Sequence, residues 1–213
     1  MKLYLSSQKL GLRPDLLVSL VGDNKRVVVI SNALDDKAIE HRNDRTKKEL
    51  DLMESIGFIP EELDLRKYFG KKKELRKLLK TKSLVWIRGG NTFLLSRAFH
   101  ASGFDKIIKS MVKKNKIVFG GYSAALLIAS KSLLGTNIVD DINSIPEDYP
   151  KTKRLKSLNF LNFYLIPHYD SKQEWATNVK NHVNYLRKNK RKVVTLCDGE
   201  VYFCNNMKGV IVK

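Results

Sequence analysis

The sequence predicts an α/β fold: a mainly parallel, doubly wound sheet flanked by helices, with a short antiparallel strand region at the C-terminus, in a single domain over residues 1–213. Three observations predict it. The stretch "RVVVISNAL" (26–34) is a β-branched apolar run without alternation, the mark of a strand covered on both faces. Strand-like runs then alternate with segments of helical spacing, which calls for right-handed crossovers and parallel neighbours. Finally, "KVVTL", "VYFC" and "GVIV" follow one another with only a few residues between them. Parallel pairing needs a crossover of about a dozen residues or more, so some of these last strands must pair antiparallel.

Taken in order, "KLYLSS" (2–7) reads as a short strand and "RVVVISNAL" as a buried one. Residues 36–56 mix charged and apolar positions at helical spacing and end near Gly57. "ELDL" (62–65) is a weak strand and "KKKELRKLLK" (71–80) a basic helix. "SLVWIRGG" (83–90) is a strand running into glycines, followed by a helix over 91–102 that Gly103 stops, and another over 104–115. "KIVFGG" (116–121) is a strand and "SAALLIASKSL" (123–133) a helix. "FYLIPHY" (163–169) reads as a strand, residues 173–189 as a helix, and the three short strands close the chain.

Composition restricts the function classes. With 43% hydrophobic and 29% charged residues the chain is that of a soluble globular protein. No apolar run approaches the roughly 18–20 residues that span a bilayer, and the N-terminus has no signal-peptide pattern, so a cytoplasmic protein with no membrane partner is expected. The two cysteines, Cys197 and Cys204, read as free thiols of a reducing compartment, and no His or Cys companions give them zinc-site spacing. The net charge of +18 comes from lysine runs at 70–82, 112–116 and 187–192. These read as solvated helix faces and helix C-termini. Aromatics do not interleave with them, so no base-stacking platform forms and nucleic acid is not the expected partner.

In an open parallel sheet, ligands sit beyond the strand C-terminal ends. The junctions to inspect are therefore Ser31, Gly89-Gly90, Gly120 to Ser123, His168 and Asp198. "FGGYSAALLIAS" turns a buried strand straight into a helix through two glycines, and Gly121-Tyr122-Ser123-Ala124-Ala125 matches the Gly-x-Ser-x-Gly nucleophile elbow except at its last position. A serine hydroxyl needs an adjacent base. Of the four histidines, His41, His100 and His182 lie within helical segments, whereas His168 follows an apolar strand and Pro167. An orienting carboxylate is also needed, and Asp140, Asp141, Asp170, Asp198 and Glu200 all stand open on spacing alone. The "RGGN" turn, Arg88 to Asn91, ends a strand and starts a helix, so its backbone N–H groups, with that of Ala124, are candidate oxyanion donors.

Together, "IRGGNTFLLSR", "FGGYSAALLIAS", "LIPHYD" and "LCDGEVYF" resemble the peptidase E family over nearly the whole chain. These are serine peptidases with a class I glutamine amidotransferase-like fold, and they include aspartyl dipeptidases and cyanophycinase-like enzymes. The resemblance implies a Ser–His–acid hydrolase with Ser123 as nucleophile, His168 as base and Asp198 as acid, with Asp140 and Asp141 as alternatives. It implies Gly90 and Ala124 as oxyanion donors, Arg88 and Asn91 as substrate-binding residues, and no metal or cofactor. The implied substrates are small peptides, dipeptides with N-terminal aspartate among them, and a homodimer is compatible with the chain. The sequence departs from the family pattern at Ala125, where glycine is usual, and at Asp198, where glutamate is common. Two rival readings follow: an amidotransferase-like binding module without activity, supported by Ala125, and an anion- or nucleic-acid-binding protein using the lysine-rich faces.

Overall fold

The computed structural model describes residues 1–152, 155–206 and 209–213. Seven strands form one sheet: β1 (Lys2–Ser6), β2 (Arg26–Ile30), β3 (Ile59–Glu62), β4 (Leu84–Ile87), β5 (Val118–Tyr122), β8 (Val201–Asn205) and β9 (Val210–Val212). Their order is β3-β2-β4-β5-β1-β8-β9. The pairs β2–β3, β2–β4, β4–β5 and β1–β5 are parallel, whereas β1–β8 and β8–β9 are antiparallel. A separate two-stranded parallel sheet joins β6 (Tyr164–Ile166) to β7 (Val193–Thr195).

Side-chain alternation explains the layers. Leu3, Leu5, Val28, Ile30, Val85, Ile87 and Phe119 point to one face of the large sheet. There they meet α3 (Lys72–Leu79), α4 (Thr92–Ser102), α5 (Phe104–Lys113) and α6 (Ala124–Ala129). Tyr4, Val27, Val29, Leu84, Trp86 and Val118 point to the other, against α1 (Pro14–Val21) and α2 (Ile39–Ser55). The helix α7 (Ala176–Lys188) covers the small sheet, packing Val179, Val183 and Leu186 on Tyr164 and Ile166. The lysine runs are mostly exposed, as solvated helix faces should be, apart from the inward-facing Leu75, Leu79 and Val112 and the buried Lys82, which pairs with Glu61 at 2.9 Å.

Three local differences from the sequence reading have simple causes. The weak strand expected at 62–65 lies earlier, at Ile59–Glu62, because Leu65 begins a 3-10 turn capped by Asp64. The strand at 193–195 does not join the C-terminal antiparallel run; α7 is long enough to carry a parallel crossover from β6 to β7. Helix α1 is not anticipated by the sequence reading. Its signals are present all the same: Pro14 in the first turn, Asp15 beside it and Gly22 at the stop.

Candidate active site

Parallel strands put the ends of β1, β2, β4 and β5 on one edge, and the antiparallel β8 brings its start to the same edge, Val201 beside Ser6. At the end of β5 the chain turns into α6 through Ser123, whose φ of 54° and ψ of −102° lie in sparsely populated backbone territory. Gly121 makes the turn feasible. Its φ is 148°, and a Cβ there would stand 2.4 Å from the Ile87 carbonyl oxygen and 2.8 Å from the Ala125 Cβ. The missing side chain at 121 leaves the space that the Ala125 methyl fills. The departure from glycine at 125 is therefore a packed core position, fully buried, rather than a gap in the elbow.

His168 comes two residues after β6 with a φ of 59°. Its Nε2 lies 3.0 Å from the Ser123 Oγ and its Nδ1 lies 2.7 Å from the Asp198 Oδ1. A carboxylate only accepts, so Nδ1 carries the proton in the neutral ring and Nε2 is left to accept from the serine hydroxyl. Asp198 reaches this point through the turn after β7, where the Leu196 N–H donates to the Ile166 oxygen at 2.9 Å and the Tyr169 N–H donates to the Leu196 oxygen at 2.9 Å. Ser7, just past the end of β1, completes the arrangement. Its hydroxyl donates to Asp198 Oδ1 at 2.9 Å and accepts the backbone N–H of His168 at 2.8 Å. The sequence reading missed Ser7. The same strand-end rule that picks out Ser31 would have found it.

The other carboxylates are committed elsewhere. Asp140 Oδ2 accepts the Thr92 N–H at 2.9 Å, at the start of α4, and burial pushes its pKa up. Asp141 accepts the Asn143 N–H at 2.8 Å. Asp170 pairs with Lys180 at 3.4 Å. Glu200 accepts the Cys197 N–H at 2.8 Å and meets Lys213 at 3.0 Å. Cys197 and Cys204 are not joined in a disulfide.

Gly89 and Gly90 pass close to the elbow. A Cβ on Gly89 would stand 2.9 Å from the Tyr122 ring and 3.0 Å from the Ser123 Cβ, and one on Gly90 would stand 2.4 Å from the Ala33 oxygen. The Asn91 N–H donates to that same Ala33 oxygen at 2.8 Å. The Asn91 side chain caps α4 by accepting from Phe93 and Leu94, and its amide donates to the Asp141 carbonyl at 2.7 Å. Gly90, Asn91, Ser123 and His168 line one cavity of about 540 Å³, a size that suits a small ligand. Arg88 is not among the described residues lining it. Its Nη1 donates to the Gly89 oxygen at 2.6 Å, and its charge acts on the buried Glu49. Glu49, another residue the sequence reading passed over, accepts from Trp86 at 2.7 Å and from Tyr122 at 3.0 Å behind the elbow, and burial raises its pKa.

A hydroxyl, an imidazole and a carboxylate joined in line, at the C-terminal edge of a mainly parallel three-layer sheet, can pass a proton along one path and leave an oxygen free to attack a carbonyl. The fold is class I glutamine amidotransferase-like, matching a solved peptidase E candidate from Listeria monocytogenes EGD-e with a TM-score of 0.79 at 21% identity, over 100% of this chain and 98% of that one. A sequence model of peptidase family S51 matches residues 5–212, and the chain belongs to that family of peptidase-type hydrolases.

Its curated relatives include an uncharacterized peptidase of Listeria monocytogenes, 28% identical over 120 residues, which are 56% of this chain and 55% of that protein. Another is an uncharacterized peptidase of Pasteurella multocida, 25% identical over 73% of this chain and 71% of that one. The match thus spans about half the length of the first relative. A peptidase from an acI-B1 Actinobacterium shares the fold with a TM-score of 0.67 at 12% identity, over 99% of this chain and 93% of that chain. Among the described residues no helix is long and apolar enough to cross a membrane.

Proposed function

We propose that the chain is a serine peptidase of small peptides, with Ser123 as nucleophile, His168 as general base and Asp198 as the orienting acid. The observation that carries the reading is the unbroken line from Ser123 Oγ through His168 to Asp198, at 3.0 and 2.7 Å, opening onto the cavity. Ser123 Oγ attacks the scissile carbonyl carbon as its proton moves to His168 Nε2. Asp198 holds the Nδ1–H and offsets the charge of the imidazolium. The N–H groups of Gly90 and Ala124 stabilise the oxyanion. As the C–N bond breaks, the proton on Nε2 passes to the leaving amine. A water molecule then attacks the acyl-enzyme, giving its proton to Nε2, and Ser123 regains a proton as the acid product departs.

The test is labelling with a fluorophosphonate probe, in which Ser123 Oγ displaces fluoride at phosphorus. Wild type is expected to label and Ser123→Ala to lose all labelling while its circular dichroism is unchanged. Intact wild-type protein that stays unlabelled after prolonged exposure overturns the reading. The binding-module alternative draws no support from Ala125, because that methyl fits the space opposite Gly121.

A further inference from the structure

The cavity beside Ser123 has a chemical character of its own, and it does not suit an anionic side chain. One wall is apolar: Leu127, one helical turn beyond Ser123 on α6, with Val139, Ile166, Val179 and Trp175. The ring of Trp175 stands edge-on to that of His168 with centroids 6.2 Å apart, so an apolar lip reaches the proposed base. Among the described residues the lining carries three carboxyl groups, Asp36, Asp140 and Asp141, against one lysine, Lys37, with burial favouring the neutral form of Asp140. Lys37 is half exposed and its Nζ is already 3.3 Å from Asp36.

Among the described residues, the other groups beside the cavity that could hold an anion are occupied or of the wrong polarity. The start of α4 is filled: the Thr92 N–H donates to Asp140, and those of Phe93 and Leu94 donate to the Asn91 side chain. His182, 1% exposed, donates from Nε2 to the Leu134 carbonyl at 3.1 Å. Its Nδ1 is therefore a lone pair without a hydrogen-bond partner among the described residues. Burial pushes its pKa down, which disfavours the charged ring. Arg88, the cation that an aspartyl pocket would call on, lies outside the lining and acts on Glu49.

From this we infer that the cavity selects peptides whose acyl-side residue, the one supplying the scissile carbonyl, is neutral and apolar, and that it rejects aspartyl substrates. The inference rests on the reading of Ser123 as nucleophile only in so far as it concerns turnover. An apolar side chain gains from leaving water against the wall of Leu127, Ile166 and Val179. An aspartyl carboxylate would be desolvated beside Asp36 and Asp141, and the lysine among the described lining residues, Lys37, is already paired with Asp36.

A dipeptide series, Leu-, Met-, Ala-, Asp- and Lys-first with a common second residue, tests turnover. The Leu and Met members are expected to exceed the Asp member in kcat/KM by roughly 100-fold, the scale on which a mismatched polar group is rejected. Calorimetric binding of the same series to Ser123→Ala reads the cavity apart from the chemistry. Tighter binding of the Leu member supports the inference even if the wild type turns nothing over, and equal or tighter binding of the Asp or Lys member overturns it. Val139→Arg, at a half-buried position, is expected to shift the Asp-to-Leu ratio at least about tenfold toward Asp. Val179→Arg is a second route should that variant melt at room temperature. A folded variant at either position with an unchanged ratio overturns the inference.

Discussion

The hydroxyl of Ser7 holds two parts of the site that come from distant segments. It donates to Asp198 and accepts from the backbone of His168, so one small side chain sets both the carboxylate and the loop that carries the imidazole. It does not itself line the cavity and acts through Asp198 and His168, which makes it a positioning residue. Hydrogen bonds to charged groups contribute about 1.5–3 kcal/mol. Ser7→Ala should therefore lower kcat about tenfold or more with KM changed by less than about twofold, because geometry at the base is lost while the cavity is not. A parallel rise in KM would place Ser7 in substrate binding instead. Ser123 and His168 are legible in the sequence because backbone chemistry marks them, glycines before the one and proline before the other. The acid is not legible from spacing. Asp140, Asp141, Asp170, Asp198 and Glu200 differ in which partner the folded chain brings to each, and what sets Asp198 apart is His168, 30 residues away in sequence.

At the scale of elements, the junction of β5 and α6 depends on where its glycine stands rather than on how many glycines it has. Gly121 faces the Ile87 carbonyl of β4 at a distance no Cβ tolerates, whereas Ala125 uses the room that Gly121 leaves. Gly121→Ala is expected to cost at least about 1–3 kcal/mol from backbone strain alone, with a further clash against β4, and to abolish labelling of Ser123. Ala125→Gly, which restores the family pattern, should cost only about 1 kcal/mol of helix stability and leave kcat within a few-fold of wild type. Thermal melts alongside probe labelling separate the two, and a stable, reactive Gly121→Ala protein would show that the elbow is set elsewhere. The element pattern itself was largely readable. Buried parallel strands such as β2 and β4 announce themselves by continuous apolar runs, and α5 by Phe104, Ile107, Ile108 and Val112 at helical spacing. The pairing of β7 with β6 was not readable, since a strand of three residues, Val193 to Thr195, carries no information about which neighbour it chooses.

For the molecule as a whole, the net charge of +18 suggests an anion-attracting protein, yet the arrangement of the chain separates that charge from the site. In a doubly wound sheet each crossover helix returns the chain to the strand start, which is the edge opposite the ligand edge. Lys113, Lys114 and Lys116 lie just before β5, and Lys188, Lys190, Arg191 and Lys192 lie just before β7, all exposed. Strands of three to five residues at about 3.3 Å per residue, with their connecting turns, put such groups roughly 15–20 Å from Ser123. That exceeds the Debye length of about 10 Å at 0.1 M salt. Nearer to Ser123 the lining carries Asp36, Asp140 and Asp141. With three carboxyl groups to one lysine, Lys37, the described lining is opposite in sign to the total, and low salt should give no advantage to an anionic reagent. In matched fluorophosphonates differing only in a remote carboxylate, the anionic probe is expected to label Ser123 no faster than the neutral one at about 20 mM salt, and the ratio of their rates to change by less than about twofold on raising salt to about 200 mM. Steering by the full charge would instead speed the anionic probe by roughly tenfold or more at low salt and lose that gain as salt is added. That result would bring the distant lysines back into the reaction.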